Sequence, residues 1–293
     1  MKKTSKELRQ IQKELVDNVL TNPEKLENII NLQLANRRYF HQYTLRNFLL
    51  ASWELSGRTG EGAELLAPYN KWADVNRHVK KGAKALHVLA PITKKIKDEE
   101  TEEERTVTWF KSVPVFDLSQ TEGEPLETDF TSARIDYNLN EVTSRCNVPV
   151  NFSNKQLTRG YTNGKEIWIS KHISETHQIC VFFHELAHYH LHFDTNRNEL
   201  DSATKELEAE AISFLLSSFI GIDNGESAAY IHSWSKSLDE KERRNLLKGK
   251  GSRVLKTAQL LIEQLKLWEL RESKNALQNT SKWEEINWVG VEE

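Results

Sequence analysis

The sequence predicts an α+β protein built as two domains. Three observations carry that reading: helix-period and strand-like apolar patterns follow one another along the chain, charge is split between its halves, and a polar stretch, SQTEGEPLETDFT at 119–131, separates them. A length of 293 residues suits two domains of ordinary size. Residues 1–97 hold 18 Lys and Arg against 9 Asp and Glu, whereas the remainder holds 22 against 34. The net charge of −3 therefore conceals two halves suited to different partners. No apolar run approaches the length of a membrane span, and the apolar fraction is only 38%. The basic start, MKKTSKELRQIQKEL, has no apolar stretch behind it, so no secretory signal is expected and the expected compartment is the cytoplasm. Cys146 and Cys180 are too few for a disulfide framework or an all-thiolate zinc site.

Taken in order, Leu8, Ile11, Leu15 and Val19 recur at helical spacing, and Asn22-Pro23 breaks the pattern before it resumes at Leu26, Ile29, Ile30 and Leu34. A further helix is expected over Tyr43 to Leu55, with Leu45, Phe48, Leu49 and Trp53 inward, ending at Ser56-Gly57. GRTGEGAELLAP reads as a loop, Tyr69 to Val79 as a short helix, and Ala85 to Ala90 as a strand stopped by Pro91. DEETEEE at 98–104 cannot pack against itself, and the segments flanking it predict a long hairpin with this acidic run at its tip. In the second half VPVNF and EIWIS read as strands, with Thr162-Asn163-Gly164 as a hairpin turn. Helices are expected over Glu175 to His190, Ala203 to Ile220 and Val254 to Leu270, before a polar end carrying Trp283 and Trp288.

His184-Glu185-Leu186-Ala187-His188 is an HExxH motif. Positions four apart share a helix face, so both imidazoles can approach one Zn²⁺, and Glu185 lies close enough to act on its water. A catalytic zinc needs a third protein ligand and an open position. Glu206, Glu208 and Glu210 follow on the next helix. With Leu207 at zero on a helical wheel, Glu208 falls near 100°, among Ala211, Ile212, Leu215 and Phe219. Glu206 and Glu210 fall at roughly −100° and −60°, on the polar border. A carboxylate inside an apolar face is costly unless paired or metal-bound, which favours Glu208 as third ligand with Glu210 in reserve. His192 shares the face of His188 and is a candidate supporting residue; His190 and Cys180 read as packing residues.

In the basic half Arg37, Arg38, Tyr39, Phe40, His41, Tyr43 and Arg46 form one cluster. Lys71, Trp72, Arg77, His78, Lys80, Lys81 and Lys84 form another. Rings on which bases stack, interleaved with cations that neutralise phosphates, are what unpaired nucleic acid requires. The same pattern also describes core aromatics under a solubilising basic surface.

The ordered landmarks Tyr43-Thr44-Leu45-Arg46-Asn47, Tyr69-Asn70-Lys71-Trp72, Val79-Lys80-Lys81-Gly82-Ala83-Lys84, Leu89-Ala90-Pro91 and Val115 to Gly123 precede HELAH and Glu206-Leu207-Glu208-Ala209-Glu210-Ala211. In this order they resemble the ArdC-type antirestriction proteins of plasmids and phages, from about Leu34 to Gly221. The resemblance implies a single-stranded-DNA-binding domain over 1–130 and a zincin-like metallopeptidase domain over 131–293. It implies zinc on His184, His188 and Glu208, with Glu185 as the catalytic base; the two basic clusters supply the expected DNA contacts, Arg37, Arg38, Tyr43, Arg46, Trp72, Arg77, Lys80, Lys81 and Lys84. The implied partners are single-stranded DNA and an unidentified protein substrate. Alternatives are a DNA-binding protein with structural zinc, and a protease that cleaves a DNA-bound repressor.

Overall fold

Apolar residues at helical spacing wind the start of the chain into α1 (Ser5–Val19) and α2 (Pro23–Tyr39), with the break at Pro23 as expected. The computed structural model describes residues 4–20, 22–40, 43–97, 104–128, 137–154, 158–193, 200–236 and 249–274. His41, the hairpin tip at 98–103, and Trp283 and Trp288 lie outside the described residues. Contacts divide the chain into two compact units, residues 1–19 with 28–129, and residues 20–27 with 130–293. Both helices and strands build it, so the α+β class holds.

In the first unit α3 (Leu45–Thr59) starts where the Thr44 hydroxyl accepts from the Asn47 amide. It runs through Gly57 and stops at Gly60, whose φ of 84° closes the helix in the left-handed region. Trp53, expected inward, is 37% exposed. The segment read as a loop contains β1 (Leu66–Ala67), and the segment read as a helix is a 3-10 turn over Tyr69–Val75 followed by β2 (Arg77–Val79). Asn76, at φ 55°, ends the turn, and β2 pairs antiparallel with β5 (Thr121–Gly123). The expected hairpin is present as β3 (Leu86–Lys97) and β4 (Glu104–Asp117), antiparallel from Leu86↔Val115 to Lys97↔Glu104. Pro91 does not stop β3, because β3 is an edge strand in the order β1-β4-β3 and an edge tolerates a missing donor.

Side chains tie this unit together where the backbone ladder runs out. Asn47 on α3 exchanges hydrogen bonds with Leu89, donating Nδ2–H to its carbonyl and accepting from its amide, both at 3.0 Å. Buried Asp117 accepts from the amides of Glu64 (2.7 Å), Leu65 (3.1 Å) and Ser119 (2.9 Å), and from the Ser119 hydroxyl (2.7 Å). A side chain without its carboxylate would orphan these donors. Asp117→Ala should therefore lower unfolding free energy by about 3 kcal/mol, as read by urea unfolding; a loss within experimental error would mean that the loop is closed by other groups.

The second unit sets a small mixed sheet beside a helix pair. β6 (Val150–Ser153) runs parallel to β8 (Ile167–Ser170), and β7 (Gly160–Thr162) antiparallel to it, in the order β6-β8-β7. The expected turn connects β7 to β8: Gly164 takes φ 81° and the Asn163 carboxamide accepts from the amides of Lys165 and Glu166. α4 (Leu139–Thr143) and α7 (Gly225–Lys236) are additional elements that the apolar spacing did not reveal. α5 (Glu175–His192) is capped by Ser174 and packs against β7, β8 and α6 (Ser202–Phe219), which is capped by Asp201. α8 (Lys250–Gln264) begins earlier than expected and packs on α6. Leu186, Phe182, Phe183, Leu207, Leu215 and Phe219 are fully or almost fully buried and form part of the core under the α5–α6 pair.

Candidate metal centre

Helical spacing on α5 brings the two motif imidazoles together edge-on, with His184 Nε2 and His188 Nε2 3.0 Å apart. The neighbouring helix contributes Glu206, whose Oε2 lies 3.3 Å from His184 Nε2 and whose Oε1 lies 3.4 Å from His188 Nε2. His184, His188 and Glu206 form a group whose ligand atoms all fall within 4.8 Å of one another. The donor set suits a divalent metal ion.

Glu208, favoured by the wheel, is elsewhere. It is fully buried, its Oε2 is 3.0 Å from His192 Nε2, and it pairs with Arg253 of α8, whose Nε donates to Oε1 at 3.2 Å. The wheel was right that a buried carboxylate needs compensation, but the compensating charge comes from a guanidinium 45 residues downstream. The paired histidines instead meet the border of the α6 apolar face, where Glu206 and Glu210 stand. Glu210 Oε1 lies 3.3 Å from His184 Nδ1, and its other oxygen accepts from the Ser227 hydroxyl. His192, on the His188 face as expected, has its Nδ1 2.9 Å from His188 Nδ1. Cys180 is buried, with its thiol pushed up to about 11 by burial.

Glu185 is 8% exposed, and burial raises its carboxyl above the usual range. Burial opposes a charged His184, but hydrogen bonds to Glu206 and Glu210 outweigh it and push the imidazole up to about 10. Hydrogen bonds from His184 and His188 hold the Glu206 carboxyl far below its ordinary value. A proton on His184 thus balances the carboxylates, the part a cation would otherwise play. A cavity of about 550 Å³ opens over His184, Glu185, His188 and Glu206, with Gly160, Tyr161 and Thr162 of β7 along it. Gly160 lets β7 approach α5: a Cβ there would sit 2.5 Å from Val181 Cγ1 and 3.2 Å from Glu185 Cγ.

The expected nucleic-acid residues of the first unit divide into two groups. Trp72 is fully buried edge-on to Phe40, with ring centroids 5.1 Å apart, so it is a core residue and not a stacking platform. Arg77 is committed to β5, its Nε donating to Thr121 Oγ1 at 2.8 Å. Tyr43 is half-buried, edge-on to Phe48, and burial pushes its hydroxyl up to about 12; Arg46 is half-buried too. Arg37, Arg38, Lys80, Lys81 and Lys84 are exposed, although Arg38 pairs with Glu127 at 3.4 Å and Lys80 donates to the Ser119 carbonyl. Tyr69 and Trp109 are exposed aromatics of the same unit, at 66% and 42%.

Fold and site together define a two-domain α+β protein whose second unit carries an HExxH motif at a candidate metal site. Residues 9–116 match the N-terminal domain of anti-restriction factor ArdC, and residues 145–229 match the IrrE N-terminal-like domain of the M78 peptidases. Taken together, in this order along the chain, the two matches support an ArdC-like architecture. It is 25% identical, over 349 aligned positions covering 97% of its length, to an uncharacterised protein of Bacillus anthracis, and it spans 57% of that protein. The fold is similar to the metal-free crystal structure of the antirestriction ArdC protein from the R388 plasmid, with a TM-score of 0.55 and 23% identity over 87% of this chain and 98% of that one. No helix among the described residues is long and apolar enough to cross a membrane.

Proposed function

We propose that the chain is a single-stranded-DNA-binding antirestriction protein whose second domain is a zinc metallopeptidase, with residues 1–130 holding DNA and residues 131–293 hydrolysing a protein substrate. The observation that carries this reading is the convergence of two imidazoles and a carboxylate beside buried Glu185 in an open cavity. Ligands bonded to one tetrahedral zinc at 2.0–2.1 Å stand about 3.3 Å apart; the two Nε2 atoms are 3.0 Å apart, and each has one Glu206 oxygen at 3.3 or 3.4 Å, so a small turn of the carboxylate completes such a set. These three residues would hold the ion. Bound zinc supplies a Lewis acid that polarises the scissile carbonyl and makes water a better nucleophile.

Glu185 takes a proton from the attacking water and returns it to the departing amine. The outer edge of β7, which ends the order β6-β8-β7, offers backbone groups to an extended peptide lying in the cavity. Incubating the zinc-loaded protein with an unbiased peptide mixture, and reading new termini by mass spectrometry, tests this directly. Cleavage should appear and should disappear after chelation; an uncut mixture would leave a binding protein with a structural metal.

For the DNA half, exposed Lys81 and Lys84 carry the phosphate contacts in this reading, since neither is committed to an ion pair among the described residues. Replacing both by alanine in the full chain should weaken binding to unrelated single strands alike. It should also flatten the salt dependence by about 1.4 in log–log slope, at roughly 0.7 per lost phosphate contact. An unchanged slope would move the phosphate contacts to other cations.

A further inference from the structure

We propose that His192, Glu208 and Arg253 form a hydrogen-bond relay that fixes His188 in its Nδ1–H form and so aims the Nε2 lone pair at the metal position. The inference rests on the metal reading above and concerns positioning, not contact with substrate.

The relay is a line of three contacts. His188 Nδ1 is 2.9 Å from His192 Nδ1, His192 Nε2 is 3.0 Å from Glu208 Oε2, and Arg253 donates to both Glu208 oxygens. Its direction follows from what each group can do. Buried Glu208 pairs with the Arg253 guanidinium, and a carboxylate so paired only accepts hydrogen bonds. His192 must then carry its hydrogen on Nε2. In a neutral ring this leaves Nδ1 as an acceptor, so the hydrogen between the two imidazoles belongs to His188 Nδ1. With zinc in place of the proton it shares with Glu206, the remaining nitrogen of His188, 3.0 Å from His184 Nε2 and 3.4 Å from Glu206 Oε1, turns its lone pair to the ion. Reversing the line would put the hydrogen of His188 on Nε2 and block the metal position.

His184 is held by the same logic with one partner fewer, since Glu210 stands directly at its Nδ1 and is itself fixed by Ser227. Glu208 is thus assigned a role distinct from that of a ligand: it orients one through His192. Partners of this kind typically govern metal affinity by ten- to a hundredfold.

Two measurements test the relay. In the zinc-loaded protein labelled with ¹⁵N-histidine, long-range ¹H–¹⁵N spectra should show His188 and His192 protonated at Nδ1 and Nε2 respectively. His192 protonated at Nδ1 would overturn the proposal. Zinc affinity, read by competition with a chromophoric chelator, should fall about ten- to a hundredfold in His192→Phe. It should be largely recovered in His192→Gln, whose carboxamide accepts from His188 and donates to Glu208. Equal affinities for the Phe and Gln variants would reduce His192 to a packing residue and overturn the relay. Failure of the wild-type chain to bind zinc would defeat the metal reading itself, whereas zinc binding with the reversed hydrogen placement defeats the relay alone.

Discussion

Glu185→Gln will keep its metal and lose peptide hydrolysis by about 10²–10⁴-fold, the usual worth of a positioned general base. The carboxamide has nearly the volume of the carboxylate, so the packing of a side chain that is 8% exposed beside Gly160 is preserved. It cannot take a proton from water. Metal analysis of the purified variant together with the rate of peptide cleavage separates the two roles. Loss of metal would make Glu185 part of the holding set, and full activity would remove it from the mechanism.

Glu206→Ala and Glu208→Ala should fail in different ways. Glu206 faces both motif imidazoles and its side chain is 43% exposed, so its loss should lower metal affinity by more than about a hundredfold, with a stability cost to the metal-free protein smaller than that of losing buried Glu208. Glu208 is fully buried against His192 and Arg253. Its removal leaves donors without acceptors and should cost about 1–3 kcal/mol, tempered because Arg253, at 39% exposed, can turn to water. Its effect on affinity should be the smaller of the two. If Glu208→Ala lost all metal while Glu206→Ala kept it, the placement of the third carboxylate would be reversed.

Much of the fold was readable along the chain because it is locally encoded. The break at Pro23, the Asn163-Gly164 turn and the β3–β4 hairpin follow from residues that restrict or permit backbone angles within a few positions. The errors fall where distant residues decide. The stretch from Tyr69 has helical spacing, yet β5, more than 40 residues on, claims Arg77–Val79 as a strand partner. GRTGEGAELLAP has a loop's composition, but Asp117 and Asn36 hold its last residues as β1 against β4. Trp72 lies among cations in sequence and against Phe40 in space, which turns a candidate base platform into core.

The sequence alone determined that His184 and His188 share a helix face with Glu185 beside them, since four residues of α-helix set that geometry without outside help. It also determined that a carboxylate from the following helix would be available. Which carboxylate faces the histidines was decided only by tertiary structure. A glutamate is a ligand, an orienting partner or one half of an ion pair according to what stands opposite it. For Glu208 that group is Arg253, on a helix the wheel could not see. The charge opposite fixes the cost of burial. The most buried glutamate was therefore the one already satisfied, and the border residue Glu206 was left to face the histidines.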